Sequence, residues 1–329
     1  MLNYSSSVKG RCKGGCVWMH GKAIKCTNVF ITLLMCLMII GTVSAKTYDS
    51  ENASTLEDWK PVEKAMGEKG NVSPDGAITF AIPMTLNVTL DGIKLNPASE
   101  RSHEFDFMRA GDKAMMVGEI GVTEEEVKNV SDMVLQSGLQ VTAIHNHLLR
   151  TSPHIMWIHI YGYGDPADMA KKIRNITDYV NRGSSASESE KFQSKGINTT
   201  ELDRIIGDKG SAEGGDYNYE IPRADKIQMN GYTLSPVMDV STPISFQPLG
   251  KGNAAVIGEF ALEENEVEPV VRTLTANGIE VTALHSHMIT EQPRLFYVHC
   301  WATGDATELA SIMREALNET NSKIGSESS

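Results

Sequence analysis

Apolar and polar positions along this chain switch between a helical and a strand period in a fixed order. After Thr123-Glu-Glu-Glu126, a capping-box sequence, Val127, Val130 and Val134 recur at helical spacing until Gly138 stops the run. Asp165-Pro166 opens a second helix, with Asp168 three residues past the cap and Met169, Ile173, Ile176 and Val180 along one side; Asp305, Glu308, Leu309, Ile312, Met313 and Ala316 repeat it. Between these helices, apolar β-rich runs predict strands over 114–119, 139–149 and 155–163, with a turn at Arg150-Thr-Ser-Pro153. The order strand, helix, strand, strand, helix predicts an α+β protein built from ferredoxin-like sandwich domains of βαββα type. Residues 77–82 or 93–95 are available to complete the sheet.

That order occurs twice. Val141-Thr-Ala-Ile-His145-Asn-His147 returns as Val281-Thr-Ala-Leu-His285-Ser-His287, a displacement of 140 positions that also relates His159 to His299, Gly164-Asp165 to Gly304-Asp305 and Glu119 to Glu259. Earlier landmarks follow with a one-residue slip: Pro83 with Pro222, Pro97 with Pro236, Phe107 with Phe246. Two tandem copies are therefore expected, over residues 55–181 and 199–320, joined by a Ser/Glu-rich flexible linker over 182–198.

The duplication puts the same three histidines in each copy. Residues two apart on a strand share a face, so His145 and His147 point the same way. A hairpin closed at 150–153 sets His159 opposite His145; the same arithmetic gathers His285, His287 and His299. Glu119 and Glu259 sit on the neighbouring strand as candidate fourth ligands. Three imidazoles with a carboxylate suit zinc, copper, iron or nickel. The opposite face carries Ile144, Leu148, Met156, Ile158 and Ile160, which helices would cover. The histidine face also carries Trp157, Tyr161, Tyr163, Tyr297 and Trp301, rings suited to a half-wet cleft or an interface. Several readings stay open: metal binding without catalysis, a metal-dependent hydrolase or oxidoreductase, a metal-free module for an envelope glycan or small ligand, and structural histidines packed between the copies.

Composition narrows the partners and the compartment. Of 329 residues 41% are hydrophobic and 22% charged; the formal net charge is −12, and no basic run stands out after the amino terminus, which argues against a nucleic-acid partner. Residues 1–45 have the layout of a secretory signal peptide with a long basic n-region: Arg11, Lys13, Lys22 and Lys25, an apolar stretch over 29–43, then Val43-Ser44-Ala45. The expected mature protein begins near Lys46 and is secreted or held at the cell surface, in the membrane only if the leader stays attached. Sequons at Asn52, Asn71, Asn87, Asn129, Asn175, Asn198 and Asn318 fit a glycoprotein. Cys300 alone follows the leader, so no intrachain disulfide framework is available, and its alternation puts it on the apolar face.

The block from Val281 through His285-Ser-His287, continued by Pro293-Arg294 and His299-Cys-Trp301 to Gly304-Asp305, resembles the LppY/LpqO-like family of exported lipoproteins, whose activity is unassigned. Copy two is the closer match. Copy one has Tyr161 for Trp301 and His154 for Arg294, and no cysteine stands at the cleavage point for a lipid anchor.

Overall fold

The computed structural model describes residues 56–325, apart from 97, 98, 100, 101, 183–190 and 192. The expected leader, its cysteines and most of the linker lie outside the described residues. Copy one begins with α1 (Leu56–Met66), β1 (Asn71–Val72), β2 (Ile78–Pro83) and a small hairpin of β3 (Thr89–Leu90) and β4 (Ile93–Lys94). It continues with β5 (Ser102–Ala110), β6 (Lys113–Thr123), α2 (Val127–Gln136), β7 (Gln140–His145), β8 (Ile155–Gly164) and α3 (Pro166–Val180). Copy two repeats this as α4 (Thr199–Ile206), β9 (Ser211–Glu213), β10 (Asp216–Pro222), β11 (Gln228–Met229), β12 (Tyr232–Thr233) and β13 (Ser241–Gly250). Then come β14 (Asn253–Leu262), α5 (Glu264–Ala276), β15 (Glu280–His285), β16 (Phe296–Asp305) and α6 (Ala306–Leu317). No helix among the described residues is long and apolar enough to cross a membrane.

Each copy makes one antiparallel six-stranded sheet, in the orders β1-β2-β5-β6-β8-β7 and β15-β16-β14-β13-β10-β9. The protein is α+β with two similar sheet-rich halves. The helices form where the apolar stripes place them: the Asp165 carboxylate accepts from the Asp168 N–H at 2.8 Å, and the Thr123 N–H donates to Glu126 at 3.0 Å. Residues 93–95 do not join the large sheet; Ile93 belongs to the β3–β4 hairpin. The strand over 102–110, which lies between β2 and β6, interleaves His103, Glu104 and Asp106 with its apolar residues and carries a weak strand signal.

Both faces of the central strands are apolar, so both are covered. On one face Ala114, Met116, Ile120 and Val122 of β6 pack with Trp59, Val134 and Ile173 of the helices, and copy two builds the same core from Val256, Phe260, Leu274 and Met313. The other face of each sheet packs on the other copy: Met115 and Val117 meet Met229, Met238 and Tyr297, while Leu148 and Trp157 meet Ile257 and Trp301. The layers therefore run helix, sheet, sheet, helix. Polar clasps cross the same junction, where Asn96 Nδ2 donates to Asp216 at 2.7 Å and Gln247 Nε2 to the Lys94 carbonyl at 2.7 Å.

Three details differ from the alternation rule. Strand β7 ends at His145 instead of running to 149, because the backbone bends over 147–150. A bulge between Val141 and Ala143 shifts the hairpin register, so Ala143 faces His159 and His145 faces Trp157. Beyond the strand end the period of two no longer holds: Leu148 joins the junction between the copies, and Ile144, on the edge strand, stays largely exposed.

Candidate metal centre

The junction of the two sheets collects all six predicted histidines into one cluster. Glu119 lies directly across from His159 on the β6–β8 ladder, and Glu259 across from His299 on β14–β16, so each carboxylate shares the inward face with its histidine. His145 stacks on His285 with ring centroids 3.5 Å apart, His159 on His287 at 3.7 Å and His147 on His299 at 4.0 Å. Each pair joins a residue of one copy to one of the other, and the second and third pairs exchange repeat equivalents. The contacts therefore obey a local twofold through His145 and His285. Trp157 stacks on His147 at 4.4 Å, and its repeat equivalent Tyr297 stacks on His287 at 3.6 Å.

Three carboxylates edge the cluster. Glu119 Oε2 lies 3.2 Å from His159 Nε2 and 3.4 Å from His147 Nε2; Glu259 lies 3.1 Å from His287 Nε2 and 3.6 Å from His299 Nε2. Asp239 stands 3.3 Å from His287 Nδ1 and 3.8 Å from His159 Nδ1. Asp239 holds a left-handed backbone (φ 57°), a conformation that Asp tolerates better than most residues, and the Tyr297 hydroxyl donates to its carbonyl at 2.7 Å. The sequence reading missed Asp239. The one-residue slip pairs it with Glu100, a carboxylate at the same place in both copies, and that coincidence was the available signal; Glu100 lies outside the described residues.

Sets of ligand atoms close to within 4.8 Å of one another in four combinations: His145 with His147 and His159; His145 with His285 and His287; His147 with Glu259 and His299; His159 with Asp239 and His287. Copy one thus brings its own three histidines together. Among the described residues the copy-two triad is divided among sets shared with copy one. The last two sets have no residue in common, and each draws ligands from both copies.

Four of the six imidazoles are buried, and His145 and His285 are half-buried. His147, His159, His287 and His299 are nearly inaccessible, and among the described residues both nitrogens of His285, His287 and His299, the Nε2 of His145 and His159, and one Asp239 oxygen make no hydrogen bond. Burial, then repulsion from neighbouring imidazoles, holds His147, His159, His287 and His299 well below the ordinary histidine range. Burial brings His145 to about 4 and, with repulsion from His145, His285 to about 3. All six are neutral at physiological pH, the form that coordinates a cation. Cys300 is buried on the helix side with its thiol pushed up to about 12, which leaves it an inert hydrophobe as the alternation predicted.

A pH dependence follows. Buried His103, lowered to about 4 chiefly by burial, adds a seventh imidazole that takes up protons less readily folded than unfolded. The unfolded chain gains these protons as pH falls below about 6.5 and the native state does not, so stability is lost from about pH 6.5 toward pH 4. The cleft carboxyls shift the other way: desolvation followed by the Glu220 charge pushes Asp239 up to about 7, and desolvation followed by the Glu104 charge raises Asp106 well above its ordinary range. Their contribution is present at low pH and fades as pH rises through their folded values. Thermal midpoints of chelator-treated protein should peak near neutrality and fall toward pH 4.5, each unmatched proton contributing about 1.4 kcal/mol per pH unit. A flat profile between pH 7 and pH 5 would mean that the cluster is wet.

A family model described as "Domain of Unknown Function (DUF1259)" matches residues 60–179 and again 200–319. The chain belongs to that family, as two tandem DUF1259 units. No curated protein matches it. Among solved structures, the trimeric bacterial microcompartment shell protein PduB is 13% identical over 73% of this chain and 86% of its own, with a TM-score of 0.17. EutL from Clostridium perfringens is 10% identical over 63% of this chain and 79% of its own, also at 0.17. Similarity at that TM-score carries no argument about fold or assembly.

Proposed function

We propose that this protein binds a transition metal at a centre shared by its two DUF1259 units. One observation carries the reading: neutral, buried imidazoles with nitrogens that make no hydrogen bond, gathered around three carboxylates. Burying polar nitrogens without hydrogen bonds is costly, and a cation placed between such nitrogens and the neighbouring carboxylates lowers that cost. The two disjoint sets, His147–Glu259–His299 and His159–Asp239–His287, would hold up to two ions, with His145, His285 and Glu119 beside them as further ligands. Imidazole with carboxylate suits zinc, copper, iron or nickel. A bound ion with an open position would support hydrolytic or oxygen chemistry.

The fold reading is supported in finer form by strand order. Within β5-β6-β8-β7, with α2 and α3 on one face, strands run as in a ferredoxin-like sandwich whose last strand has moved to the front. The LppY/LpqO-like resemblance and the export reading rest on the sequence features that suggested them.

Metal analysis of the purified mature chain tests the centre. One or two equivalents of zinc, copper, iron or nickel are expected after supplementation, with a thermal midpoint that rises with free metal and drops on chelation. A chain that takes up none of the four, and whose midpoint ignores chelator, refutes the proposal.

A further inference from the structure

The local twofold relates two openings onto the histidine cluster, and the two copies treat them differently. At the first, a cavity of about 490 Å³ runs down between Tyr161, Tyr232 and Met288 to a floor of His159, His287 and Asp239. At the equivalent place near His147 and His299, Trp301 stands for Tyr161 and is buried against Leu90, Leu148 and Trp157, its indole reaching Asp91. The outer edge there is latched. Arg150 donates to Glu280 at 2.7 and 2.8 Å and to Asp91 at 3.2 Å. The repeat equivalents of those three residues at the open cavity are Thr290, Gln140 and Asn230, which are uncharged, and Asn230 donates instead to the Tyr161 hydroxyl. The duplication thus keeps this opening and fills its equivalent with Trp301, while a separate cavity of about 450 Å³ reaches His147 past Glu119 and Glu259.

We infer that the open cavity is a binding pocket for one small neutral ring compound carrying a hydroxyl or carbonyl, held between Tyr161, Tyr232 and Met288 with its polar group toward His159 and His287. The lining carries no Lys or Arg and the floor carries Asp239, so at the floor an anion finds no counter-charge. Aromatic faces, methionine and uncharged donors such as Asn230 and Gln140 suit a neutral amphipathic ring, and the volume falls in the range of small-molecule sites. The pocket stands on its walls. It rests on the metal proposal only for what the floor would do to the ligand, so its test is run on chelator-treated protein.

The probe is phenol, followed by saturation-transfer NMR and calorimetry on the full chain, with benzoate as the anionic comparison. One phenol per chain is expected, with benzoate at least about tenfold weaker. Tyr161→Trp, which copies the residue that fills the other opening, should weaken phenol at least about tenfold. A second variant, Gln140→Glu with Asn230→Asp and Thr290→Arg, transplants the latch at exposed positions and should do the same without touching the core. Zinc uptake by both variants is measured in parallel and should match the wild type, so loss of the pocket and loss of the metal centre read out separately. Phenol that fails to bind the wild type up to its solubility, or that binds both variants as it binds the wild type, overturns the inference.

Discussion

Residues 199–329 expressed without copy one are expected to be molten or aggregated, although every strand and helix of that copy is encoded within them. Its helix-side core is self-contained, but the opposite face of β14 and β16 carries Ile257, Ala261, Tyr297 and Trp301, and in the whole chain these are covered by copy one together with Met229, Met238 and Leu295. Uncovering a buried side chain of this size costs about 1.5–3 kcal/mol, and several together are comparable with the roughly 5–15 kcal/mol that stabilises an ordinary domain. The repeat pattern predicts halves that fold alone unless their histidine faces pack together, and they do pack together. Near-UV circular dichroism and thermal melting of the isolated half decide the point, and co-expression with residues 46–182 should restore both. A cooperative melt of the half alone, with sharp tertiary signals, would show that the junction is an interface between finished domains.

Replacing His287 separates a ligand from a packing residue, because its ring and its nitrogens do different things. The ring lies between His159 and Tyr297, at centroid distances of 3.7 and 3.6 Å, while both nitrogens lack hydrogen bonds and face Asp239 and Glu259. His287→Phe keeps the stacked volume and deletes only the nitrogens. The metal-free midpoint should stay level or rise, since two desolvated polar atoms are removed, and the response to metal at the His159–Asp239 set should vanish. His287→Ala also loses the response and in addition leaves a cavity, which should lower metal-free stability by about 2 to 4 kcal/mol. Calorimetric melts of both variants with and without zinc check this. A Phe variant that keeps wild-type metal stoichiometry and midpoint shift would remove His287 from the centre, and a Phe variant that collapses without metal would mark it as structural.

Much of this architecture is local and so was legible in the chain. The duplication, the capping box at Thr123, the Asp165 cap, the turn residues and the pairing of Glu119 with His159 depend on spacing within one copy, and periodicity reports spacing directly. The continuous apolar run from Ala114 to Val117 also says that both faces of β6 are buried, but not what buries the second. The six histidines were named from sequence because a repeated His-x-His pattern marks them in each copy. Only the tertiary structure decided that these are one cluster, that ligand sets cross between copies, that Asp239 joins them, and that Trp301 and Arg150 close one of two equivalent openings. Hydrophobic and polar periodicity fixes which face a side chain takes, whereas the identity of the facing surface is a choice between surfaces far apart in the chain, made by the packing free energy of the whole molecule.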